Sequence, residues 1–451
     1  MSRDLAENDQ PVHFDQLVEL FSTAVKGDAR LGVGTEHEKF GFLRDSLRPV
    51  PYEGEQGIGR LLQILAEERG YTPLFDSGNI LALEKDGGAV TLEPGGQLEL
   101  SGKIAKTIFE TRDELRAHLS DVREVGDSLG QVWTHMALNP WDDLDDVPWM
   151  PKSRYQVMRR YLPTRGALAH WMMKMTSTVQ ANYDFRTEAD AMEMLRLTST
   201  VGPLATAMFA NSPYRFGKVT EFETFRMHVW EHTDPDRCGI PDFFLDPGAG
   251  FQNYVDYLLD VPMFFITRGG KYIDLSGIPF RQFLEKGHEG HHATWGDWQL
   301  HQSTVFPDTR LKQYLELRTC DAGPETHLLA MPALFKGLLY DTEARREAFA
   351  LLPTLDGEAA RDFGRAVARS GLSGSWRGLD VRELATELVH ISARGLDRQG
   401  IRDEHPTERE FVMPLLGDDG RATNPATRFR TLWESCNGDR RTVTEATSIL
   451  P

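Results

Sequence analysis

Two glutamates, Glu36 and Glu38, stand two residues apart in the run GVGTEHEKFGF, with His37 between them. The placing recurs twice. In TLEPGGQLELSG, Gln97 and Glu99 are two apart, and Glu93 stands just before a Pro-Gly-Gly turn. In YLELR, Tyr314, Glu316 and Arg318 alternate with Leu315 and Leu317. Side chains on a β-strand alternate faces with period two. Glu36 and Glu38 therefore point one way and His37 the other. By the same rule Leu315 and Leu317 fill a core, while Glu316 and Arg318 share the opposite face. Glutamate is depleted from strands, so five of them in strand settings call for a reason. Clustered carboxylates repel, and burying them unpaired is costly. A hard divalent cation resolves both problems. Mg2+ takes oxygen ligands together with substrate phosphates, and Mn2+ is the alternative. Arg318 on the same face would stabilise charge on a transferring phosphoryl group. A solvated sheet face with charges on alternate residues explains any single pair equally well. Three such runs, each beside glycine turns or apolar strand positions, favour a shared pocket.

The elements that must position these residues follow from the surrounding pattern. Residues 30–43 read as a strand. IGRLLQILAEERG (58–70) reads as an amphipathic helix stopped by glycine. Between Ile80 and Gly102 short strands are broken at Lys85-Asp86-Gly87-Gly88 and at Pro94-Gly95-Gly96, two hairpin-type turns. A long charged helix follows, from Thr107. HFDQLVELFSTAVK (13–26) has helical spacing and ends at Gly27. FQNYVDYLLDVPMFFI predicts a helix and then a strand, and RLKQYLELRTCDAG a single strand. After Lys336 the chain reads as amphipathic helices, and the polar stretch from Gly417 as a partly mobile tail. A meander followed by helices is an α+β layout. No linker is visible, so the expectation is one domain over 1–451, with a helical C-terminal part from about 336 to 451.

Bulk properties narrow the partners. With 50 Lys and Arg against 68 Asp and Glu, the net charge is -18, which argues against nucleic acid or an anionic membrane as partner. No apolar run approaches the ~20 residues that cross a bilayer. Cys238, Cys320 and Cys436 lie far apart, in neither a disulfide framework nor a zinc spacing. Reduced thiols, and an N-terminal run MSRDLAENDQ without apolar or Arg-rich character, predict a cytoplasmic protein. There is no G-x-x-x-x-G-K-[ST], no G-x-G-x-x-G opens a βαβ unit, and no G-x-S-x-G forms a strand-to-helix elbow, the one match, Gly126–Gly130, closing the charged helix instead. The three histidines of GHEGHHATW (287–295) read as a solvated loop, and HWMMKMTS (170–177) as core.

Longer runs carry a resemblance. GTEHEKFGF, TLEPGGQLELSG, MPKSRYQVMRRYLP, TSTVQANYDF, MFANSPYRFGK, FRMHVWEHTDPDR, YVDYLLDVPMFF and RLKQYLELRTCDAGP occur in order between about residues 30 and 400. Together they resemble the plant-type glutamate–cysteine ligases, a family also found in many bacteria. The resemblance implies a glutamine-synthetase-like fold, a curved antiparallel sheet forming a funnel around Mg2+ with helices outside. It implies that ATP phosphorylates the γ-carboxyl of L-glutamate and that the amino group of L-cysteine attacks the γ-glutamyl phosphate. The product is γ-glutamylcysteine, in the first step of glutathione synthesis. By position, Glu36, Glu38, Glu93, Glu99 and Glu316 are implied metal ligands, with Gln180 a ligand or near-ligand. Arg318 is implied to contact the ATP phosphates, with Arg318 and Glu316 catalytic. Arg154 and Arg226 are implied to bind substrate carboxylates, which a guanidinium can hold bidentately, with Asn182 a polar contact nearby.

The resemblance departs at the cysteines. Plant members carry regulatory disulfides, and the matching positions here are Arg112, Leu275 and Leu329, with a shortened loop around His288. No plant-style thiol switch is expected. Two other readings stand beside the ligase: a γ-glutamyl ligase with another amine acceptor, and a catalytically silent relative that keeps the cation site. The partners expected are L-glutamate, L-cysteine and ATP, on a monomer or homodimer.

Overall fold

The computed structural model describes residues 10–403 and 407–449. The polar run MSRDLAENDQ, apart from Gln10, lies outside the described residues. Strands β1 (Val33–Leu43), β2 (Thr72–Asp76), β3 (Asn79–Lys85), β4 (Gly88–Leu92), β5 (Leu98–Ser101), β6 (Gln131–Thr134), β7 (Val179–Tyr183), β8 (Thr309–Leu311) and β9 (Leu315–Leu317) form one sheet. Its order is β8-β9-β7-β1-β5-β4-β3-β2, with β6 paired to the far half of β1. Neighbouring strands are antiparallel throughout. The long strand β1 is the spine, because β5 and β7 flank its first half and β6 its second.

The turns fall where the sequence puts them. Asp86 and Gly87 both have positive φ, 52° and 87°, the pairing that a two-residue hairpin turn requires. In the Pro-Gly-Gly turn Gly96 has φ 84°. A Cβ on Gly95 would meet the Lys174 carbonyl oxygen at 2.4 Å, so only glycine lets the turn pack there. Gln97 fastens the turn. Its Oε1 accepts from the Gly95 amide at 2.9 Å and its Nε2 donates to the Thr176 carbonyl at 2.8 Å.

Helices cover the outside. Helix α1 (Ile58–Arg69) ends at Gly70 in the left-handed region, as its spacing predicts. Helix α2 (Ile108–Ser128) begins with a capping box, Thr107 accepting from the Glu110 amide and Glu110 reaching back. Its His118 meets His37 edge-on at 5.7 Å beneath the sheet, the face opposite the glutamates. Helices α3 (Tyr155–Tyr161), α4 (Ala169–Met175), α5 (Glu188–Phe209) and α6 (Phe225–Glu231) build the middle. Further on come α7 (Phe251–Asp260), α8 (Glu325–Leu339), α9 (Thr342–Phe349), α10 (Gly357–Ser370), α11 (Val381–Gln399), α12 (Pro425–Ser435) and α13 (Arg440–Ala446). Tyr183 of β7 donates to the Pro332 carbonyl at 3.0 Å, and Ser392 of α11 to the Leu334 carbonyl at 2.8 Å. Sheet, α8 and α11 are thus stacked in that order. The α+β layout is the one the sequence implies.

Three expectations change. The 13–26 helix is broken into a 3-10 turn at Phe14–Gln16 and a short helix at Glu19–Ser22. Its apolar residues Leu17, Leu20 and Phe21 are buried by tertiary packing without a continuous helix. RLKQYLELRTCDAG is a hairpin, β8 and β9, where one strand was expected. The stretch after Gly417 is not a loose tail. It forms α12 and α13, whose Phe429, Trp433 and Val443 pack with Phe40, Phe42 and Tyr214. Trp433 stacks on Tyr214 at 4.2 Å and on Trp141 at 5.8 Å. Trp433→Ala should lower unfolding free energy by about 3–5 kcal/mol, the usual cost of emptying a buried aromatic site. An unchanged urea midpoint would show that the C-terminal helices are dispensable.

Candidate active site

One face of the sheet carries the polar side chains in register. Glu38 on β1 lies directly opposite Glu99 on β5, and Glu36 lies opposite Gln180 on β7 and Ser101 on β5. Asn182 on β7 lies opposite Gly34 on one side and Glu316 on β9 on the other. Because residues directly opposite share a face, the pairing puts all of these side chains on the same surface as Glu36 and Glu38.

The structure brings most of the expected site residues together. A cavity of about 100 Å³ is lined by Glu38, Glu93, Glu99, Gln180, Arg154, Arg226 and Arg318, with Met158, Met172 and Met173 as apolar wall. A neighbouring cavity of about 440 Å³ takes Glu36 and Asn182 with Gly32, Gly34 and Gly102, and Ser303 lines both. Asn182 Nδ2 donates to Glu36 Oε1 at 3.1 Å. Glu38 Oε2 accepts from the Thr178 amide at 3.2 Å. Glu99 Oε1 accepts from Ser101 Oγ at 2.7 Å and from Thr91 Oγ1 at 3.2 Å. Burial, and then the neighbouring Glu93 and Glu99, push the Glu38 carboxyl well above its ordinary range. Burial and Glu99 push Glu93 up to about 7. Despite its burial, the hydrogen bonds from Ser101 and Thr91 help hold Glu99 below its ordinary range. Three clustered carboxyl groups, Glu38, Glu93 and Glu99, could hold a hard divalent cation.

Glu316 is placed differently. It is fully buried and lines neither cavity. Arg310 grips it in a fork, Nε to Oε2 at 2.9 Å and Nη2 to Oε1 at 2.8 Å. Arg318 Nη1 donates to the same carboxylate, and Lys312 Nζ stands 3.7 Å away. Burial alone would raise its pKa, but Arg310, Lys312 and Arg318 hold it well below the usual carboxylate range. Arg318 Nη1 also donates to Gln180 Oε1 at 2.6 Å. Gln180 is thereby a partner of Arg318 across the cavity wall.

The substrate-side arginines are buried as well. Arg154, 5% exposed, precedes α3 and lies over the Phe265 ring at 5.7 Å. Arg226, 2% exposed, donates to the carbonyls of Arg318 at 3.0 Å and Thr319 at 3.3 Å. Trp230, one turn along α6, has the Arg226 and Arg318 guanidiniums 5.8 and 5.5 Å from its ring. Asp321 stands 3.9 Å from Arg226 and is fixed by Ser212 Oγ at 2.6 Å and Thr224 Oγ1 at 2.9 Å. Arg310, Trp230 and Asp321 went unremarked in the sequence. Arg310 opens the quoted RLKQYLELR, but only the hairpin places it opposite Glu316. Trp230 had a signal, since it sits four residues after Arg226 and shares its helix face. HWMMKMTS is core only in part: Trp171 and Met175 are buried as expected, but Met172, Met173 and Thr176 line the smaller cavity. The GHEGHHATW segment holds a His288–His291 bridge at the surface.

Cys238, Cys320 and Cys436 are unpaired. Burial pushes both the Cys238 and Cys320 thiols up to about 12, which makes them poor nucleophiles. Among the described residues no helix is long and apolar enough to cross a membrane.

The model of glutamate–cysteine ligase family 2 matches residues 32–445. The chain is 38% identical over 429 residues to the chloroplastic glutamate–cysteine ligase B of Oryza sativa subsp. japonica, covering 94% of this chain and 85% of the relative. It is 38% identical over 397 residues to the chloroplastic glutamate–cysteine ligase of Arabidopsis thaliana, covering 87% and 76%. Among solved structures it is similar to a glutamate–cysteine ligase from Francisella tularensis in complex with AMP. There the TM-score is 0.58 and the identity 13%, over 92% of this chain and 87% of that one. A bifunctional glutathione synthetase from Pasteurella multocida gives a TM-score of 0.55 at 14% identity, over 96% of this chain and 53% of that one. At these identities the likeness is one of fold. The relatives' names overturn the cytoplasmic expectation, since they are chloroplastic enzymes. Reduced thiols mark a reducing compartment and do not distinguish one such compartment from another. The names favour neither another amine acceptor nor a silent relative; they support ligation of glutamate to cysteine, the first step of glutathione biosynthesis. Sequence along nearly the whole chain and fold thus agree, and the chain belongs to glutamate–cysteine ligase family 2.

Proposed function

We propose that this chain uses ATP to phosphorylate the γ-carboxylate of L-glutamate and passes the γ-glutamyl group to the amine of L-cysteine at the polar face of the sheet. The observation that carries this assignment is the meeting of buried carboxylates with buried guanidiniums in one cavity: Glu38, Glu93 and Glu99 facing Arg154, Arg226 and Arg318. A donor set that is all oxygen and anionic fits Mg2+ or Mn2+ and not a soft metal. We assign Glu38, Glu93 and Glu99 to hold the cation, with Glu36 at the boundary with the larger cavity. When bound, such a cation neutralises the charge of the transferring phosphoryl group and orients its oxygens.

The residues have distinct tasks. Gly32, Gly34 and Gly102 leave the larger cavity open beside Glu36, which suits a nucleotide whose phosphates point toward the carboxylates. Arg154 and Arg226 bind the α-carboxylates of the amino acid substrates. Their burial makes each such pair stronger than it would be in water. Arg318 stabilises the phosphoryl group in flight. Glu316 and Gln180 hold Arg318 in place, and Arg310 keeps Glu316 ionised. Glu316 is thus a positioning residue, a role different from the ligand role implied by the resemblance. In the first step the bond from the terminal phosphorus of ATP to its bridging oxygen breaks as the glutamate oxygen bonds to phosphorus, releasing ADP. In the second, the cysteine nitrogen bonds to the acyl carbon and phosphate departs. The apolar wall of Met158, Met172 and Met173 excludes water that would otherwise hydrolyse the acyl phosphate.

Glu38→Gln should lower kcat by about a hundredfold or more, the scale lost when a group stabilising the transition state is removed. ADP release from folded variant enzyme measures this, and a near-normal rate would sink the cation assignment. Glu316→Gln should depress kcat strongly while leaving Mg2+ affinity within a fewfold. A large loss of Mg2+ affinity would instead return Glu316 to the ligand set. Cysteine should support ADP release far better than a panel of other amines, and equal rates would point to a different acceptor.

The raised carboxyls also set a pH effect. In the metal-free protein Glu93, at about 7, holds a proton that an exposed glutamate has already lost. Between about pH 4.5 and 7 the folded state therefore binds more protons than the unfolded state, so this group's contribution to stability falls as pH rises. Mg2+ binds only the deprotonated cluster. The rise in melting temperature on adding Mg2+ should be larger at about pH 8 than at about pH 5.5, and a pH-independent rise would contradict the arrangement.

A further inference from the structure

Helix α6 has two working faces. Arg226 and Trp230 look toward the substrate cavity. Its last turn and the next residue put His228, Glu231 and His232 elsewhere, on the outer surface. These stand at i, i+3 and i+4, the spacing that brings helical side chains together on one face. One ligand atom from each lies within 4.8 Å of the other two. The two imidazoles have ring centroids 4.3 Å apart.

Two details point to a ligand beyond mere proximity. His232 Nδ1 lies 2.9 Å from the His228 carbonyl oxygen, which accepts only. Nδ1 therefore carries the proton, and Nε2 is left with its lone pair. A backbone carbonyl fixing the tautomer of a metal-binding histidine is the usual supporting contact at metal sites. His228 is the second detail. Its ring stacks on Phe222 at 4.4 Å, which fixes its plane, and its nitrogens make no hydrogen bond among the described residues. One group competes: Arg365 Nη1 stands 3.5 Å from Glu231. The Arg365 and Glu231 side chains are 47% and 35% exposed, and a pair that long and that open to solvent is worth little.

We propose that His228, Glu231 and His232 form a site for a borderline transition-metal cation of the Zn2+ and Cu2+ class, separate from the carboxylate cluster of the sheet. Two imidazole nitrogens and one carboxylate oxygen, with solvent in the fourth position, make a donor set that suits these metals and not Mg2+. Bonds of 2.0–2.1 Å at a tetrahedral angle need ligand atoms about 3.3 Å apart. The site does not depend on the catalytic assignment, because it shares no ligand with it.

Cu2+ is the probe, since it binds such sites more tightly than Zn2+ and reports its ligands directly. Whole enzyme held in excess Mg2+ is titrated with Cu2+ and read by electron paramagnetic resonance. One equivalent per chain should show coupling to two imidazole nitrogens. His228→Ala and His232→Ala should each weaken that species at least tenfold, and Glu231→Gln several-fold. All three variants should keep copper-free activity, which also establishes that they fold. The proposal is overturned if nitrogen-coupled copper persists unchanged in the double variant H228A/H232A. It is equally overturned if stoichiometric Cu2+ gives no nitrogen-coupled species in the unaltered enzyme.

Discussion

Glu38 and Glu99 face each other across neighbouring strands, both buried, in the position where like charges are most unfavourable. A sheet keeps such a pair only if the rest of the chain compensates for it. Most of the surrounding architecture can be understood that way. Thr91 and Ser101 give Glu99 hydrogen bonds from its own sheet, and the Thr178 amide does the same for Glu38. Lys39, on the reverse face of β1, is buried against His37 at 2.9 Å. Burial lowers its pKa to about 7, while Glu99 and Glu38 pull it upward from across the sheet. Glu38 and Glu93 remain held above their ordinary range, and a bound cation would draw them into the ionised form while Arg154, Arg226 and Arg318 face the anionic substrates.

The second organising feature is the cage around Glu316. A carboxylate at zero exposure would be neutral by itself, but the Arg310 fork keeps it charged. Charged, it anchors Arg318 beside Gln180. Arg318 and Arg226 then share the Trp230 ring, so that three strand and helix segments converge on two guanidiniums. Buried ion pairs contribute little net stability but fix geometry when every partner is satisfied. Here the fixed geometry is that of two cations aimed into a small cavity.

Helices supply the rigidity. The stack of sheet, α8 and α11 is close because Gly337 and Gly395 have no side chain at the crossing. A Cβ on Gly395 would meet the Gly337 carbonyl oxygen at 2.1 Å. On the other side, α12 and α13 close over the far half of β1 with stacked Trp141, Trp433 and Tyr214. The strand that carries Glu36 and Glu38 is therefore held at both ends, as a site of mutually repelling groups requires.

Alternation along β1, β5 and β9 is a local property, and the sequence by itself determined it. Glu36 with Glu38, and Glu316 with Arg318, could be assigned to shared faces from spacing alone. The Asp-Gly and Pro-Gly-Gly turns were equally legible, because each needs a backbone conformation that few residues adopt. The motifs also carried the family. Convergence was a different matter, since it depends on which strands pair and in what register. The hairpin at Lys312–Tyr314 has no glycine or proline to announce it, so Arg310 read as one more residue of a single strand. Folded, it lies opposite Glu316 and neutralises it. The polar helices after Gly417 looked loose because only a few of their residues are apolar, and those few are buried by a surface supplied from elsewhere in the chain. Periodicity fixed where each side chain points. Only long-range pairing decided which of them meet, because the energies that bring charges together come from residues far apart in sequence.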